Sequence, residues 1–250
     1  MSGIEDAFDR VADGYASFRP HYPETLFDQV AACCTSRDLA WEIGCGSGQA
    51  TTGLASRFKR VEATDPAPSA IEKASNCPGV RFSVGRAESS PLAAETVDLI
   101  ASAQAAHWFD MTAFAREARR VGNQNAIVAL WCYDRCLIEP SIDAVTSHLY
   151  KDILKGYWDP RRSHVDAGYT TLPFPFTEID INPPNIVLEW TLDHLLGYLG
   201  TWSAAEAYRK RTGEKPIALI EADLREAWGD PATTRTTICP VSMRLGHVHG

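Results

Sequence analysis

The stretch Leu39-Ala40-Trp41-Glu42-Ile43-Gly44-Cys45-Gly46-Ser47-Gly48 decides the fold. Residues 39–43 are apolar apart from one acid, as in a strand buried on both faces. They run into a turn with three glycines, and residues 49–58 have helical character. Strand, glycine turn and helix start together make a cradle for a nucleotide-like ligand. Glycine lets backbone come close to such a ligand and adopts angles that other residues resist. The spacing is E-x-G-x-G-x-G. The dinucleotide fingerprint G-x-G-x-x-G fails in both registers, because its last position falls on Gln49 or on Thr51. The Gly-Lys-Ser/Thr of a phosphate-binding P-loop is absent as well.

Working outward, strands are predicted at residues 39–43, 60–65, 80–84, 97–103 and 126–133. Helices are predicted at 69–75 and 112–121, the second stopped by Gly122-Asn123. Five strands alternating with helical segments predict a doubly wound α/β sheet. Upstream, Phe8, Val11, Tyr15 and Phe18 form an amphipathic helical stripe. Pro20 and Pro23 break it, and a helix over 24–34 follows with Leu26, Phe27 and Val30 inward.

Downstream the pattern changes. Residues 134–176 are rich in aromatics and prolines, with a helical piece at 142–154. Strands near 177–181 and 186–190 precede two helices. Ser203-x-x-Glu206 reads as a capping box for the first, stopped by Gly213. Pro216 suits the first turn of the second, and Gly229 ends it. A last strand is expected over 236–245, with regular pairing only after Pro240.

The 250 residues carry 24 basic and 32 acidic side chains, a formal charge of −8. No long basic run appears, which speaks against a nucleic-acid partner. No apolar run is long enough to span a bilayer, and the polar, acidic start is not a signal peptide. The seven cysteines include no C-x-x-C pair. They read as reduced, mostly buried thiols of a cytoplasmic protein, not as a disulfide framework or a zinc signature. His247-x-His249 reads as a frayed tail and not as a metal site, and no metal is expected.

The glycine turn, the acid closing the second strand (Asp65) and the loop Gly85-Arg86-Ala87-Glu88 occur in the order seen in class I S-adenosylmethionine-dependent methyltransferases, and the chain resembles that family. Tyr15-x-x-x-Arg19-Pro20-x-Tyr22-Pro23 is similar to a signature of the trans-aconitate methyltransferase-like (methyltransferase type 11) group. The resemblance covers residues 36–133 well and is looser beyond. It implies a Rossmann-like sheet of seven strands with the last antiparallel, an N-terminal helical lid and a helical cap inserted after strand 5. As one domain this divides into lid helices (1–35), cofactor-binding core (36–133), cap insertion (134–176) and C-terminal strands and helices completing the sheet (177–250).

The resemblance also implies S-adenosyl-L-methionine as cofactor, released as S-adenosyl-L-homocysteine. The glycine turn would hold it through Glu42, Gly44, Cys45, Gly46 and Gly48. Asp65, followed by Pro66, would accept hydrogen bonds from the ribose hydroxyls; the residues alone equally suit a helix N-cap there. Arg86, Ala87 and Glu88 would border the adenine. The family often places an acid just before the alanine, and this chain has Arg86 there instead. Ala103, Gln104 and Trp108, at the end of the fourth strand, would lie beside the cofactor. Tyr15 and Arg19 would approach its methionine portion.

Ligands in open α/β sheets sit beyond the carboxyl ends of the strands, so residues 102–109 would face the acceptor. His107 is a candidate to take a proton from it, or else a histidine that orients the loop. Tyr22, Trp131, Tyr133, Trp158 and Trp202 are candidate walls of the acceptor pocket, with Tyr169 and Tyr198 as further aromatics. Arg161, Arg162 and His164 suit a carboxylate acceptor or a solvated loop. The function expected is methyl transfer to a small molecule by a monomer or homodimer, with no nucleic-acid or membrane partner. A nicotinamide-dependent oxidoreductase is the alternative, opposed by the glycine spacing and by the lack of a plausible Tyr-x-x-x-Lys pair. A non-catalytic S-adenosylmethionine-binding protein is the third reading, and turnover separates it from the first.

Overall fold

The computed structural model describes residues 18–74 and 76–250. The expected lid stripe of Phe8, Val11 and Tyr15 lies outside them; Phe18 lies within. Helix α1 (Glu24–Ala32) follows Pro23 and buries Leu26, Phe27, Val30 and Ala31. Strand β1 (Leu39–Ile43) is buried along its whole length. The helix expected over 49–58 is shorter, α2 (Thr51–Ala55). Its Gly53 abuts Phe27 of α1 so closely that an added Cβ would lie 2.2 Å from the ring.

The chain continues through β2 (Arg60–Asp65), α3 (Pro68–Lys73), β3 (Val80–Val84) and β4 (Val97–Ala103) to α4 (Met111–Val121). Asp110 caps α4 by accepting the amides of Thr112 and Ala113, both at 3.0 Å. Strand β5 (Gly122–Tyr133) starts at the glycine expected only to stop the helix. After it come α5 (Pro140–His148), a π-helical turn (Leu149–Ile153), α6 (Arg162–Asp166), β6 (Thr177–Glu178) and β7 (Ile186–Trp190). Helices α7 (Leu192–Gly200), α8 (Ser203–Thr212) and α9 (Glu221–Trp228) lead to β8 (Arg235–Cys239) and β9 (Val241–His247).

The main sheet has seven strands in the order β3-β2-β1-β4-β5-β9-β6. Pairing is parallel from β3 to β5, and β9 runs antiparallel to both β5 and β6. This is the expected fold class. The chain winds outward one way from β1 and the other way from β4, so a crevice opens above the carboxyl ends of these two neighbours. Side chains alternate across the sheet. Ala40, Ala63, Ala101 and Trp131 join α1 and the cap in one core, and Trp41, Ile100, Val128 and Phe114 form the other.

Four sequence expectations need correction. First, only β6 and β9 of residues 177–250 complete the sheet. Strands β7 and β8 pair antiparallel in a sheet of their own, and Pro240 divides the single strand expected over 236–245 between the two sheets. Second, the Ser203-x-x-Glu206 capping box does not form. Trp202 takes the N-cap position, and Glu206 forks onto Arg209 instead. Third, the C-terminus is not frayed: Val248 is buried, its amide bonded to Ala126 O, and His249 reaches the Gly122 carbonyl. Fourth, Cys136 and Cys239 form a disulfide, 103 residues apart in sequence. It joins the entry of the cap to β8, beside a pair of amide bonds between Leu137 and Ile238. The cysteines therefore no longer support a reducing compartment.

Candidate active site

Thr64 O takes the amides of Gly44 and Cys45, at 2.7 and 3.1 Å, so the turn is moored to β2 as it leaves β1. Gly44, Gly46 and Gly48 all have positive φ, between +56° and +96°, where side chains are strained. Asp65 then ties the glycine turn to the loop after β2. Its Oδ2 accepts the Gly46 amide and its Oδ1 the Ala67 amide, both at 2.9 Å. The N-cap of α3 is Ala67, so Asp65 does not fill that alternative role. Burial raises its pKa, while the two amides favour the ionised form.

Glu42 is almost fully buried one strand away, where its carboxyl accepts the Thr51 hydroxyl. Burial pushes its pKa up to about 8, and the charge of Asp65 adds to the rise. Cys45 is buried beneath the turn, its thiol also shifted upward by burial, and Pro66 is half-buried after Asp65.

On the side predicted to border the adenine, Ala87 is buried in the core and Arg86 is exposed. Glu88 is half-buried, and one of its oxygens accepts the Asp110 amide at the start of α4, at 3.0 Å. At the end of β4, Ala103 pairs with Trp131, and Gln104 adopts φ +58°. Its amide donates to Trp131 O at 2.9 Å, and its side chain to Tyr133 O at 2.8 Å. Gln104 thereby pins the end of β4 to β5.

His107 lies in a 3-10 turn over Ala106–Trp108. Its Nδ1 is 3.1 Å from the hydroxyl of Tyr169, which is fully buried. Burial first, then the charges of Arg162 and Arg161, lower its pKa to about 3. A ring held neutral by burial and by these cations is a weak base, which argues against His107 as proton acceptor. Trp108 lies under the Arg161 guanidinium, 4.2 Å from its ring centre.

The candidate walls form two groups. Tyr22 meets Trp131 and Tyr133 edge-on at 5.9 and 6.1 Å. Trp158 of the cap and Trp202, between α7 and α8, lie 5.7 Å apart, both against Tyr150. Arg19 bridges the groups, with contacts to Thr201 O at 2.9 Å and the Tyr133 hydroxyl at 3.4 Å, and stacks over Tyr198. Tyr15 lies outside the described residues. Among the cap cations, Arg161 forks onto Asp159 at 2.9 Å, and Arg162 meets Asp134 and Asp166 at 3.1 and 3.2 Å. A cap groove of about 680 Å³ is bordered by Tyr150, Trp158 and Arg162 but by no residue of the glycine turn.

Two observations fit a bound ligand at the strand ends. A Cβ on Gly46 would meet nothing within 4 Å. The buried Gln49 Nε2, directly after the turn, and Trp131 Nε1 have no hydrogen-bond partner. Buried polar atoms are rarely left so. Sequence reasoning missed Gln49, Thr51 and the Tyr169–His107 contact. Among the described residues, no three His, Cys, Asp or Glu gather as metal ligands, and no helix is long and apolar enough to cross a membrane.

A sheet of this order, with a glycine turn and an acid at its switch point, defines a nucleotide-type cofactor site. A family model described as a methyltransferase domain matches residues 41–130. A methyltransferase-named protein of Dictyostelium discoideum is 32% identical over 229 residues, covering 90% of this chain and 87% of its own. An uncharacterized methyltransferase of Mycobacterium tuberculosis is 30% identical, over 74% of this chain and 70% of its own. The solved structure of a protein from Anaeromyxobacter dehalogenans, described as a type II methyltransferase, is 43% identical with a TM-score of 0.86, covering 92% of this chain and 98% of that one. The chain belongs to the class I S-adenosylmethionine-dependent methyltransferases.

Proposed function

We propose that this protein methylates a small-molecule acceptor, and that the glycine turn, Asp65 and the strand ends around Gln104 hold the cofactor. The observation that carries this assignment of the site is the carboxylate of Asp65 bonded to the Gly46 amide at the carboxyl ends of β1 and β2. Each Asp65 oxygen accepts one amide hydrogen bond. A carboxylate has about four acceptor positions, so two remain for ribose hydroxyls. The open side of Gly46 lets the ligand approach backbone, and the unpartnered Gln49 amide is a ready donor. S-adenosylmethionine supplies a methyl group already made electrophilic by its sulfonium. The chain's own residues then have three tasks: to align the acceptor, to hold it and to exclude water.

An acceptor bordered by aromatics is part of the proposal; Trp158 lines the cap groove, while Tyr22, Trp131, Tyr133 and Trp202 are buried in the core behind the strand ends. A carboxylate is the finer form of the proposal. The cations nearest His107, Arg161 and Arg162, already face Asp159, Asp134 and Asp166. Neutral donors would therefore hold the acceptor oxygens. The net charge of −8 supports a small molecule over nucleic acid.

Calorimetric titration with S-adenosylhomocysteine, with NADH as the control ligand, tests the site. Expected is 1:1 binding of S-adenosylhomocysteine at micromolar or tighter affinity and none of NADH. A screen of small carboxylic acids for methyl ester formation then tests the acceptor. Turnover confined to amines or phenols would remove the carboxylate.

A further inference from the structure

Tyr169 carries two features that its packing alone does not explain. It is a bulky, fully buried residue with φ +64°, a region that such side chains rarely enter. Neighbours hold it there. Its amide donates to His164 O at 2.7 Å, Arg244 donates to its carbonyl at 3.1 Å, and Gly168 before it lies so close to Ser242 of β9 that an added Cβ would be 2.6 Å from the hydroxyl. Backbone strain kept in place by its surroundings is a pointer to function.

Its side chain ends at His107. The buried phenol has His107 Nδ1 as its hydrogen-bond partner at 3.1 Å, and a phenol proton turned away from it would be left unsatisfied in the core, so the proton is directed to that nitrogen. A nitrogen that accepts carries no proton, so the imidazole proton resides on Nε2. With Nδ1 turned to the buried phenol, Nε2 lies on the far edge of the ring, away from that core.

We propose that His107 serves the acceptor site as a neutral N–H donor, its tautomer fixed by the phenol of Tyr169. The role rests on the methyltransferase site proposed above. Tyr169 is the positioning residue and His107 the binding one. The groups around the ring agree: Arg161, Arg162 and His164 disfavour a second proton, and only Asp159, itself held by Arg161, favours it. A donor that stays uncharged holds an oxygen of the acceptor without protonating it, leaving the oxygen's remaining lone pairs free for the methyl group. It also supplies what the paired arginines do not.

Long-range proton–nitrogen NMR on the nitrogen-15-labelled protein with S-adenosylhomocysteine reads the tautomer directly. The Nε2–H form is expected near pH 6.5, the ordinary imidazole midpoint. In Tyr169→Phe the two tautomers mix, or the ring begins to titrate. Diethyl pyrocarbonate, an acylating agent attacked by a free imidazole lone pair, would spare His107 in the native protein and acylate it in Tyr169→Phe. An Nδ1–H form or an imidazolium in the native protein overturns the proposal, as does a Tyr169→Phe spectrum unchanged at His107. With an acceptor found in the screen, His107→Ala should raise its KM about tenfold to a hundredfold, the range for a lost hydrogen bond, and leave the KM for S-adenosylmethionine unchanged. His107→Gln or His107→Asn, amide donors that cannot act as bases, should restore much of it. Both failing as badly as alanine would overturn the donor role. Lack of S-adenosylhomocysteine binding by the native protein is a different result. It would end the methyltransferase site reading and leave the tautomer measurement standing.

Discussion

A Cβ built on Gly44 would lie 2.4 Å from the Cβ of Ala105. The turn after β1 and the turn after β4 therefore touch at the switch point, and only a missing side chain permits it. Gly44→Ala combines that clash with φ +69° and should cost roughly 2–4 kcal/mol of stability. Gly46→Ala meets no atom and carries only the left-handed strain, about 1 kcal/mol, yet its methyl enters the space assigned to the cofactor. Urea unfolding and S-adenosylhomocysteine titration of both variants check this. A Gly46→Ala protein that binds like the native one would sink the assignment of that space.

Asp65→Ala removes the acceptor of the Gly46 and Ala67 amides together with the ribose contacts. Affinity for S-adenosylhomocysteine should fall by about ten- to a thousandfold, the span for losing hydrogen bonds to a charged group. Asp65→Asn keeps one acceptor oxygen and should lie between. Calorimetry on both variants is the check, and equal affinity in all three proteins would exclude Asp65 from the site.

Stability should depend on pH through Glu42. Its folded pKa of about 8 lies above the ordinary 4.5, so the folded state binds the proton more tightly than the unfolded one. That contribution is full below about pH 4.5 and is lost as pH rises through about 8. Glu42→Gln, uncharged throughout, should flatten the decline between these limits. Urea midpoints of the two proteins across this window measure it, and parallel curves would mean that Glu42 is not held neutral.

The Cys136–Cys239 bond closes a loop whose ends are 103 residues apart. Loop-closure entropy assigns such a link roughly 4–5 kcal/mol. Unfolding with and without reductant should show a drop of that order. Thiol titration of the denatured, unreduced protein should find five cysteines, since two of the seven are bonded. Seven titrating thiols would refute the pairing.

What the sequence revealed was local. Gly44 to Gly48 and Asp65 are legible because the shape of a turn and the end of a strand are written in neighbouring residues. The alternation of β1 to β5 with helices carried the sheet for the same reason. Distant meetings were not legible. Cys136 reaches Cys239, and Tyr169 reaches His107 62 residues away, only because the cap folds back over the sheet. Ser203 and Glu206 had the spacing of a capping box, but Trp202 took the cap position and Arg209 the carboxylate. Nothing in its composition marks Gln104 for a left-handed turn; its bonds to Trp131 and Tyr133 put it there.

Strand β9 is made after β6 but lies between it and β5. While the chain emerges from the ribosome, β3, β2, β1, β4 and β5 can assemble with one flank of β5 bare. Strand β6, two residues long and paired only with β9, has nowhere to dock until residues 241–247 appear. The cap is thus synthesised before the strand that closes its floor. An exposed sheet edge is a template for wrong pairing. The nascent protein is therefore vulnerable until residues 241–247 emerge, and a chain that stalls short of β9 would leave that edge open to aggregation.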